Sequence, residues 1–594
     1  MKSILEHFPL EGKKPYAHQR DVLLALEEGL EAPKEKKFMV LRGPTGCGKS
    51  AVAISLAQKV RESGGQVHIL ASHRFLQDQY VEDFKSLGLS SLWGKANYSC
   101  TTAVKRGNPR RDCSRCLADE EPTPSDRLSF IRDNCSSRAK ERYDGDQCLY
   151  IQAKREAVNS SLSLNNYASF LTHANLAGTF DKRDLLIVDE AHLVESRVSD
   201  FVSVNIRLGE HLEKWHVKEI LSLTDPSVTD LSQYLEELLL PKLIGKSAYL
   251  FSKLGILVEG SGAGLDKSLV SLREDNPSLL VEADKPVEIS DDTKTRLIKI
   301  GCLIDNLRWL IASVKESPKN WVYYLEKGRV TFKPVVAGSL AHKYLFSFGG
   351  RVLLMSATVD TGPFLRDLGI RGRDIACFLD VPSTFELENR PLIAEFCGSL
   401  SRKSLEKTLP KAAKIIEGIL ERHGRNKGII HTHSFSNAAA LKELMSPGAA
   451  ARFIWHERDD DLDHLLEKFF ASQDSWLVSP SVTEGLNGID DRVRVQVLLK
   501  TPYASLGDSK VNARRALRDG DTWYNLKAAQ TLVQAYGRGC RHKEDWCSTY
   551  ILDSNAARAI SKSSKYLPAW FMQAWGNSFV GKWKWDAGRW KLRA

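Results

Sequence analysis

A lysine and a serine closing a glycine-rich turn are the residues of this chain whose spacing most directly implies chemistry. Gly43, Pro44, Thr45, Gly46, Cys47, Gly48, Lys49 and Ser50 fit the pattern G-x-x-x-x-G-K-[ST]. Glycines in such a turn let backbone N–H groups converge on an anion, and a helix starting at the turn adds the positive end of its dipole. Lys49 is placed to meet β- and γ-phosphates, and the Ser50 hydroxyl to ligate Mg²⁺. A second pair of groups, Asp189 and Glu190, follows the apolar run Leu185-Leu-Ile-Val188. Asp189 suits Mg²⁺, and Glu190 suits orienting and deprotonating an attacking water. Together the two motifs predict hydrolysis of a nucleoside triphosphate.

These groups need a frame. Phe38 to Leu41 reads as a buried strand feeding the turn, and Ala51 to Val60 as the helix leaving it. Upstream, Val22, Leu23, Leu26 and Leu30 fall at helical spacing behind the polar turn of Tyr16 and Gln19. Val67 to Ser72 predicts another strand, and the stretch around Phe75 to Tyr80 another helix. Strands alternating with helices imply a parallel α/β sheet with ligands at the carboxyl ends of its strands.

The bulk properties set limits. A chain of 594 residues, 42% hydrophobic and 27% charged, has ample material for several domains. Its formal charge of +10 permits a polyanionic partner without requiring one. No signal-peptide pattern opens the sequence and no apolar run nears ~18 residues, so a cytoplasmic protein without a membrane span is expected. Five of the eleven cysteines, Cys100, Cys113, Cys116, Cys135 and Cys148, fall within 49 residues. That clustering favours a metal over disulfides. Cys302, Cys377, Cys397, Cys540 and Cys547 read as small core residues. His431 and His433 are expected on or beside a buried strand, with no ligand role.

Asp189-Glu190-Ala191-His192 after a phosphate loop resembles the superfamily 2 helicases, and later stretches extend the likeness. Ser356-Ala357-Thr358 resembles the Ser-Ala-Thr motif, and Gly428 to Ser434 the first strand of a second motor domain. Glu484 to Asp490, with Gly485 and Asp490, resembles motif V. Gln534, Gly537, Arg538 and Arg541 match Q-x-x-G-R-x-x-R. The resemblance implies two RecA-like α/β domains, with Gln534, Arg538 and Arg541 closing over the transferring phosphoryl and Tyr16 and Gln19 lying near adenine.

Gly94-Lys-Ala-Asn97-Tyr98-Ser-Cys100 is similar to the opening of the iron–sulfur insert of XPD/DinG-like helicases. Twelve residues separate Cys100 from Cys113, two separate Cys113 from Cys116, and 31 separate Cys116 from Cys148. In that family the arrangement implies a [4Fe–4S] cluster on Cys100, Cys113, Cys116 and Cys148. Four thiolates also suit Zn²⁺, although a zinc ribbon prefers two C-x-x-C pairs. Two features depart from the family. Cys148 is followed by Leu-Tyr rather than Pro-Tyr, and Cys135 is a fifth thiol, read here as a loop residue.

The implied organisation is motor domain 1 over 1–94, 150–194 and 346–380, and an iron–sulfur insert over 95–149. A helical arch-like insert fills 195–345, and motor domain 2 fills 381–594. With about 40 residues before the phosphate loop, the N-terminal exonuclease domain of some relatives is not expected. The implied activity is that of a monomeric ATP- and Mg²⁺-dependent motor. It would translocate 5′→3′ on single-stranded DNA and open duplex at single-strand/duplex junctions. Competing readings are a translocase that displaces bound proteins, and a DNA-holding subunit with a silent motor. The tail Lys582-Trp-Lys-Trp585 to Arg589-Trp590-Lys-Leu-Arg593 suits stacking on single strands. Packing of its tryptophans onto the second domain is the favoured reading.

Overall fold

The computed structural model describes residues 2–9, 14–99, 149–211, 227–253, 291–326, 328–480, 493–540 and 544–593. Helix α1 (Ala17–Glu31) precedes strand β1 (Phe38–Arg42), and helix α2 (Lys49–Glu62) follows it. Next come β2 (Val67–Ala71), helix α3 (Arg74–Asp83), β3 (Ser90–Leu92), β4 (Leu162–Asn166) and β5 (Arg183–Val188). The chain then leaves the sheet for β6 (Val204–Arg207), β7 (Trp321–Glu326) and β8 (Arg329–Pro334), and returns as β9 (Gly349–Ser356) and β10 (Ile375–Asp380). The first sheet is wholly parallel, in the order β10-β1-β9-β5-β2-β4-β3. Both faces of β1 and β2 are buried, which explains why their sequences are mostly apolar rather than alternating, with Arg42 and His68 the polar exceptions.

The second sheet holds β11 (Leu392–Gly398), β12 (Gly428–His431), β13 (Phe453–Trp455), β14 (Trp476–Ser479), β15 (Val495–Leu498) and β16 (Ser548–Asp553). It is again parallel, in the order β11-β16-β15-β12-β14-β13. The fold is therefore α/β, with two RecA-like parallel-sheet domains. His431 ends β12 and is buried, which pushes its imidazole down to about 4.

Residues 195–345 are not purely helical. Long helices are present, notably Leu240–Lys253 and Asp291–Glu316, but β6, β8 and β7 form a separate antiparallel sheet beneath them. Ile206, Val330 and Phe332 of that sheet share one apolar cluster with Leu307, Leu310 and Ile311 of the long helix. The sheet was missed because helical periodicity dominates on either side of it.

The tail forms a hairpin, β17 (Trp583–Asp586) and β18 (Arg589–Leu592). Trp583 and Trp590 are 2% and 6% exposed and belong to the core of the second domain. Trp583 donates its indole N–H to the Asn577 carbonyl, and Trp590 donates to the Tyr550 hydroxyl at 2.7 Å. Among the thiols read as core residues, Cys397, Cys540 and Cys547 are buried and Cys377 is half-buried, but Cys302 lies on the exposed side of its helix. No helix among the described residues is long and apolar enough to cross a membrane.

Candidate nucleotide site

The phosphate loop leaves the carboxyl end of β1. Gly46 and Gly48 take φ of 80° and 84°, left-handed values that a side chain would strain. Lys49 begins α2, and its ammonium donates to the Gly43 and Pro44 carbonyls, each at 3.0 Å. The charge thus sits inside the curl of the loop, where an anion would be cradled. Gly43 N–H is tied to the Ser356 carbonyl on β9, which ties the loop to the neighbouring strand.

Asp189 and Glu190 follow β5. Tyr80 of α3 donates its hydroxyl to Asp189 Oδ2 at 2.9 Å, and the Ser50 side chain hydrogen-bonds the same hydroxyl. Ser50 and Asp189, the two expected Mg²⁺ ligands, therefore stand one hydroxyl apart. Tyr167 donates to the Asp189 carbonyl at 2.7 Å and holds the turn from behind. Burial, helped by the neighbouring Glu190 charge, pushes the Asp189 carboxyl up. For Glu190 burial opposes ionisation, but His192, Lys49 and Arg538 outweigh it and hold the carboxyl down. Glu190 also has φ of 50°, a left-handed conformation that costs a non-glycine residue about 1–3 kcal/mol. A strained, ionised carboxylate beside an anion-binding loop is suited to orient water.

A line of contacts runs from Glu190 to the second domain. His192 Nδ1 lies 3.2 Å from Glu190 Oε2 and 2.9 Å from Ser356 Oγ. Thr358 N–H donates to the same Ser356 hydroxyl at 3.3 Å. Thr358 Oγ1 then accepts from Gln534 Nε2 at 3.0 Å, and its carbonyl accepts from Gln530 Nε2 at 2.7 Å. Gln530 and Gln534 lie one turn apart on the helix Gly520–Tyr536, so both face the first domain. Arg538, just beyond that helix, lends positive charge to Glu190 across the cleft. Gln534 is thus seated on the seam between the domains, on the Ser-Ala-Thr turn.

Tyr16 is 71% exposed and stacks on His18, with ring centroids 6.0 Å apart. Gln19 is buried beneath the loop. Arg541, Gly485, Asp490, Cys100, Cys113, Cys116, Cys135 and Cys148 lie outside the described residues. Sequence reasoning missed Tyr80, Tyr167 and Gln530. Tyr80 and Tyr167 look like ordinary core aromatics; a signal for Gln530 was available in its four-residue spacing from Gln534.

Two family models match the chain: "Type III restriction enzyme, res subunit" over residues 12–224 and "Helicase C-terminal domain" over residues 419–574. A Fanconi anemia group J protein homolog from Gallus gallus is 25% identical over 239 residues, covering 36% of this chain and 17% of that protein. A Regulator of telomere elongation helicase 1 homolog from Drosophila willistoni is 32% identical over 97 residues, 14% of this chain and 10% of that one. The chain therefore spans a small part of the length of these relatives. In fold it resembles a solved XPD helicase, with a TM-score of 0.56 at 15% identity over 92% of this chain and 98% of that one. A second, named XPD apo, gives 0.51 at 14% identity over 91% and 98%. The chain is thus similar to helicases in two separate stretches of its sequence, and to solved XPD structures in its fold.

Proposed function

We propose that this chain is an ATP-driven motor that moves 5′→3′ along single-stranded DNA and separates duplex at junctions. The observation that carries the reading is the line of contacts from Glu190 through His192, Ser356 and Thr358 to Gln534. The group suited to activate water is thereby mechanically linked to the second domain, which is what a motor requires. Lys49 binds the β/γ-phosphates, Arg538 and Arg541 neutralise charge on the transferring phosphoryl, and Ser50 and Asp189 would hold Mg²⁺. The metal supplies Lewis-acid stabilisation of the phosphate oxygens. The Ser50–Tyr80–Asp189 arrangement fits it, because two oxygen donors already converge on one point. On the family resemblance Gly485 and Asp490 would bind the nucleotide, and Tyr16 would lie beside the base. Polarity and DNA as substrate rest on the family resemblance.

The same reading assigns 1–94, 150–194 and 346–380 to the first motor domain and 381–594 to the second. Residues 95–149 form an iron–sulfur insert and 195–345 an arch-like insert. A set of four thiolates at Cys100, Cys113, Cys116 and Cys148 fits a [4Fe–4S] cluster by donor chemistry, and would brace a small insert. The test has two parts. Lys49→Ala should abolish DNA-stimulated ATP turnover while DNA binding persists, and the intact protein should displace a strand only from 5′-tailed duplexes. Normal turnover in Lys49→Ala would refute the site; displacement from 3′ tails would refute the polarity. Anaerobically purified protein should carry about four irons per chain, and Cys148→Ser should lose them while Cys135→Ser keeps them.

A further inference from the structure

The hairpin of β17 and β18 sorts its side chains by face. Trp583 pairs with Leu592 and Trp585 with Trp590 across the two strands, and all four pack on the second domain. The rungs that alternate with these pairs point the other way. They are Lys584 with Lys591 and Asp586 with Arg589. A further rung, Lys582 with Arg593, is joined by the Arg593 N–H donating to the Lys582 carbonyl at 2.9 Å. Lys582, Lys584, Arg589, Lys591 and Arg593 are all exposed, so the outer face carries five cations against the single acid Asp586. Two of its three rungs set like charges opposite each other, an arrangement that destabilises a hairpin. Asp586 offsets part of this through its ion pair with Lys591 at 2.8 Å, and Glu388 accepts the Leu592 N–H at the hairpin's edge.

The buried tryptophans hold the hairpin together in spite of that repulsion, and they fix the cations in rows about 7 Å apart. A partner that relieves the repulsion must be anionic and must repeat its charge along a line. Because the rings turn inward, no aromatic face is offered to unstacked bases, so the hairpin lacks the stacking platform that single strands require. Because the inner face is packed on the domain, the ribbon is not free to enter a groove and can only lie against a sugar–phosphate backbone. Duplex DNA presents one charge per about 1.7 Å of its axis, twice the density of either strand alone. The hairpin also lies beyond residues 419–574, the stretch similar to helicase C-terminal domains.

We propose that the outer face of this hairpin is a docking surface for the backbone of duplex DNA, separate from the motor's hold on a single strand. Only the choice of DNA as the polyanion rests on the function proposed above. The test is the affinity of the full chain for a blunt-ended DNA duplex, measured without nucleotide over a series of salt concentrations. Lys584→Gln combined with Lys591→Gln should weaken duplex binding roughly tenfold near 0.1 M salt and make the slope of log K against log salt shallower by about 1.8. Binding of a single-stranded oligonucleotide should fall much less. Lys584→Glu separates binding from folding, because it turns a like-charge rung into an opposite-charge one. Its unfolding midpoint should rise while its duplex affinity drops below that of Lys584→Gln. Wild-type affinity and slope in the double variant would overturn the proposal, as would a loss for single strands as large as that for duplex. Weaker binding accompanied by a lower unfolding midpoint in Lys584→Glu would reduce the cations to a structural role and overturn it too. If polyglutamate binds the intact protein and is lost on the same substitutions while duplex is not, the face takes an acidic protein and the proposal fails. Failure of the motor reading would appear elsewhere, as ATP turnover in the intact protein that single-stranded DNA does not raise.

Discussion

Close to the phosphate loop, the second domain touches the first through uncharged amides, Gln530 and Gln534 on the Thr358 turn, with Gln530 also reaching Asp360 at 3.0 Å. Farther out, the helix Ser509–Arg515 meets the first domain and residues of 195–345 through charges. Arg514, 2% exposed, pairs with Asp367 at 2.7 Å and with Asp519 at 2.8 Å. Lys510 reaches Glu195 at 2.8 Å and Ser199 at 2.9 Å, while Tyr324 of β7 donates to Asp508 at 3.0 Å. A neutral hydrogen bond contributes a net 0.5–1.5 kcal/mol or so and exchanges readily with water. Removing one partner of a buried ion pair costs about 3–5 kcal/mol. Losing one amide contact at the first seam should therefore cost less than losing the buried cation at the second. The start of the same short helix also touches the antiparallel sheet, through Tyr324.

The sharpest way to break this contrast is Arg514→Met, which leaves Asp367 buried without its cation and Asp519 with Arg366 alone. It should cost about 3–5 kcal/mol and split chemical unfolding into two transitions. A single transition shifted by less than about 1 kcal/mol would end the idea of a strong charged seam. Gln530→Ala combined with Gln534→Ala should act on the other seam. Turnover should fall by roughly ten- to a hundredfold, from the loss of about three hydrogen bonds near 1 kcal/mol each, while unfolding stays a single event.

Acid should sharpen the comparison further. Burial, with Arg183 and Arg422 respectively adding to it, pushes His68 and His423 down to about 3. The stability they contribute is complete above their ordinary value of 6.5 and is lost as pH falls. Asp367 runs the other way: burial pushes it up to about 6 in spite of Arg514. Its contribution is present at low pH and is lost as pH rises through about 6. Asp367→Asn removes this compensation, so between pH 6 and pH 4 the variant should lose stability more steeply than the wild type. The difference should be up to about 1.4 kcal/mol per pH unit, read from denaturation midpoints at each pH. Parallel slopes would mean that Asp367 does not titrate in this range. The smallest effect belongs to Arg366→Ala. Its pair with Asp519, 3.1 Å long, involves a side chain 57% exposed, and its removal should cost under about 1 kcal/mol.

The parts of this molecule that could be read from its sequence are those where chemistry is local. The phosphate loop, Asp189 with Glu190 and the strands beneath them are contiguous runs, and a doubly buried parallel strand writes itself as four or five apolar residues. The middle sheet left a fainter trace. Trp321–Glu326 and Arg329–Pro334 are rich in aromatic and β-branched residues and flank Gly328, whose φ of 75° makes the turn. The charged seam left none. Arg514 and Asp367 are ordinary surface-type residues in sequence, and only the docking of two domains brings them together. Tyr80 was hidden for another reason: an aromatic at helical spacing reads as core, and it is core, with its hydroxyl donated to the Asp189 carboxylate.

The strand order of the first sheet also bears on how the protein is made. Phe38 of β1 pairs with Val352 of β9 and with Ile375 of β10, so both neighbours of the strand carrying the phosphate loop are encoded far downstream. A ribosome adding roughly 5–20 residues per second takes on the order of 15–60 seconds to supply them. Throughout that interval β1 has two open edges and a four-residue apolar run, Phe38 to Leu41, the profile of a segment that associates with other nascent chains. Productive synthesis should therefore depend on a chaperone that shields residues 38–42 until β9 emerges, and slower elongation across the intervening inserts should lower the yield of active protein.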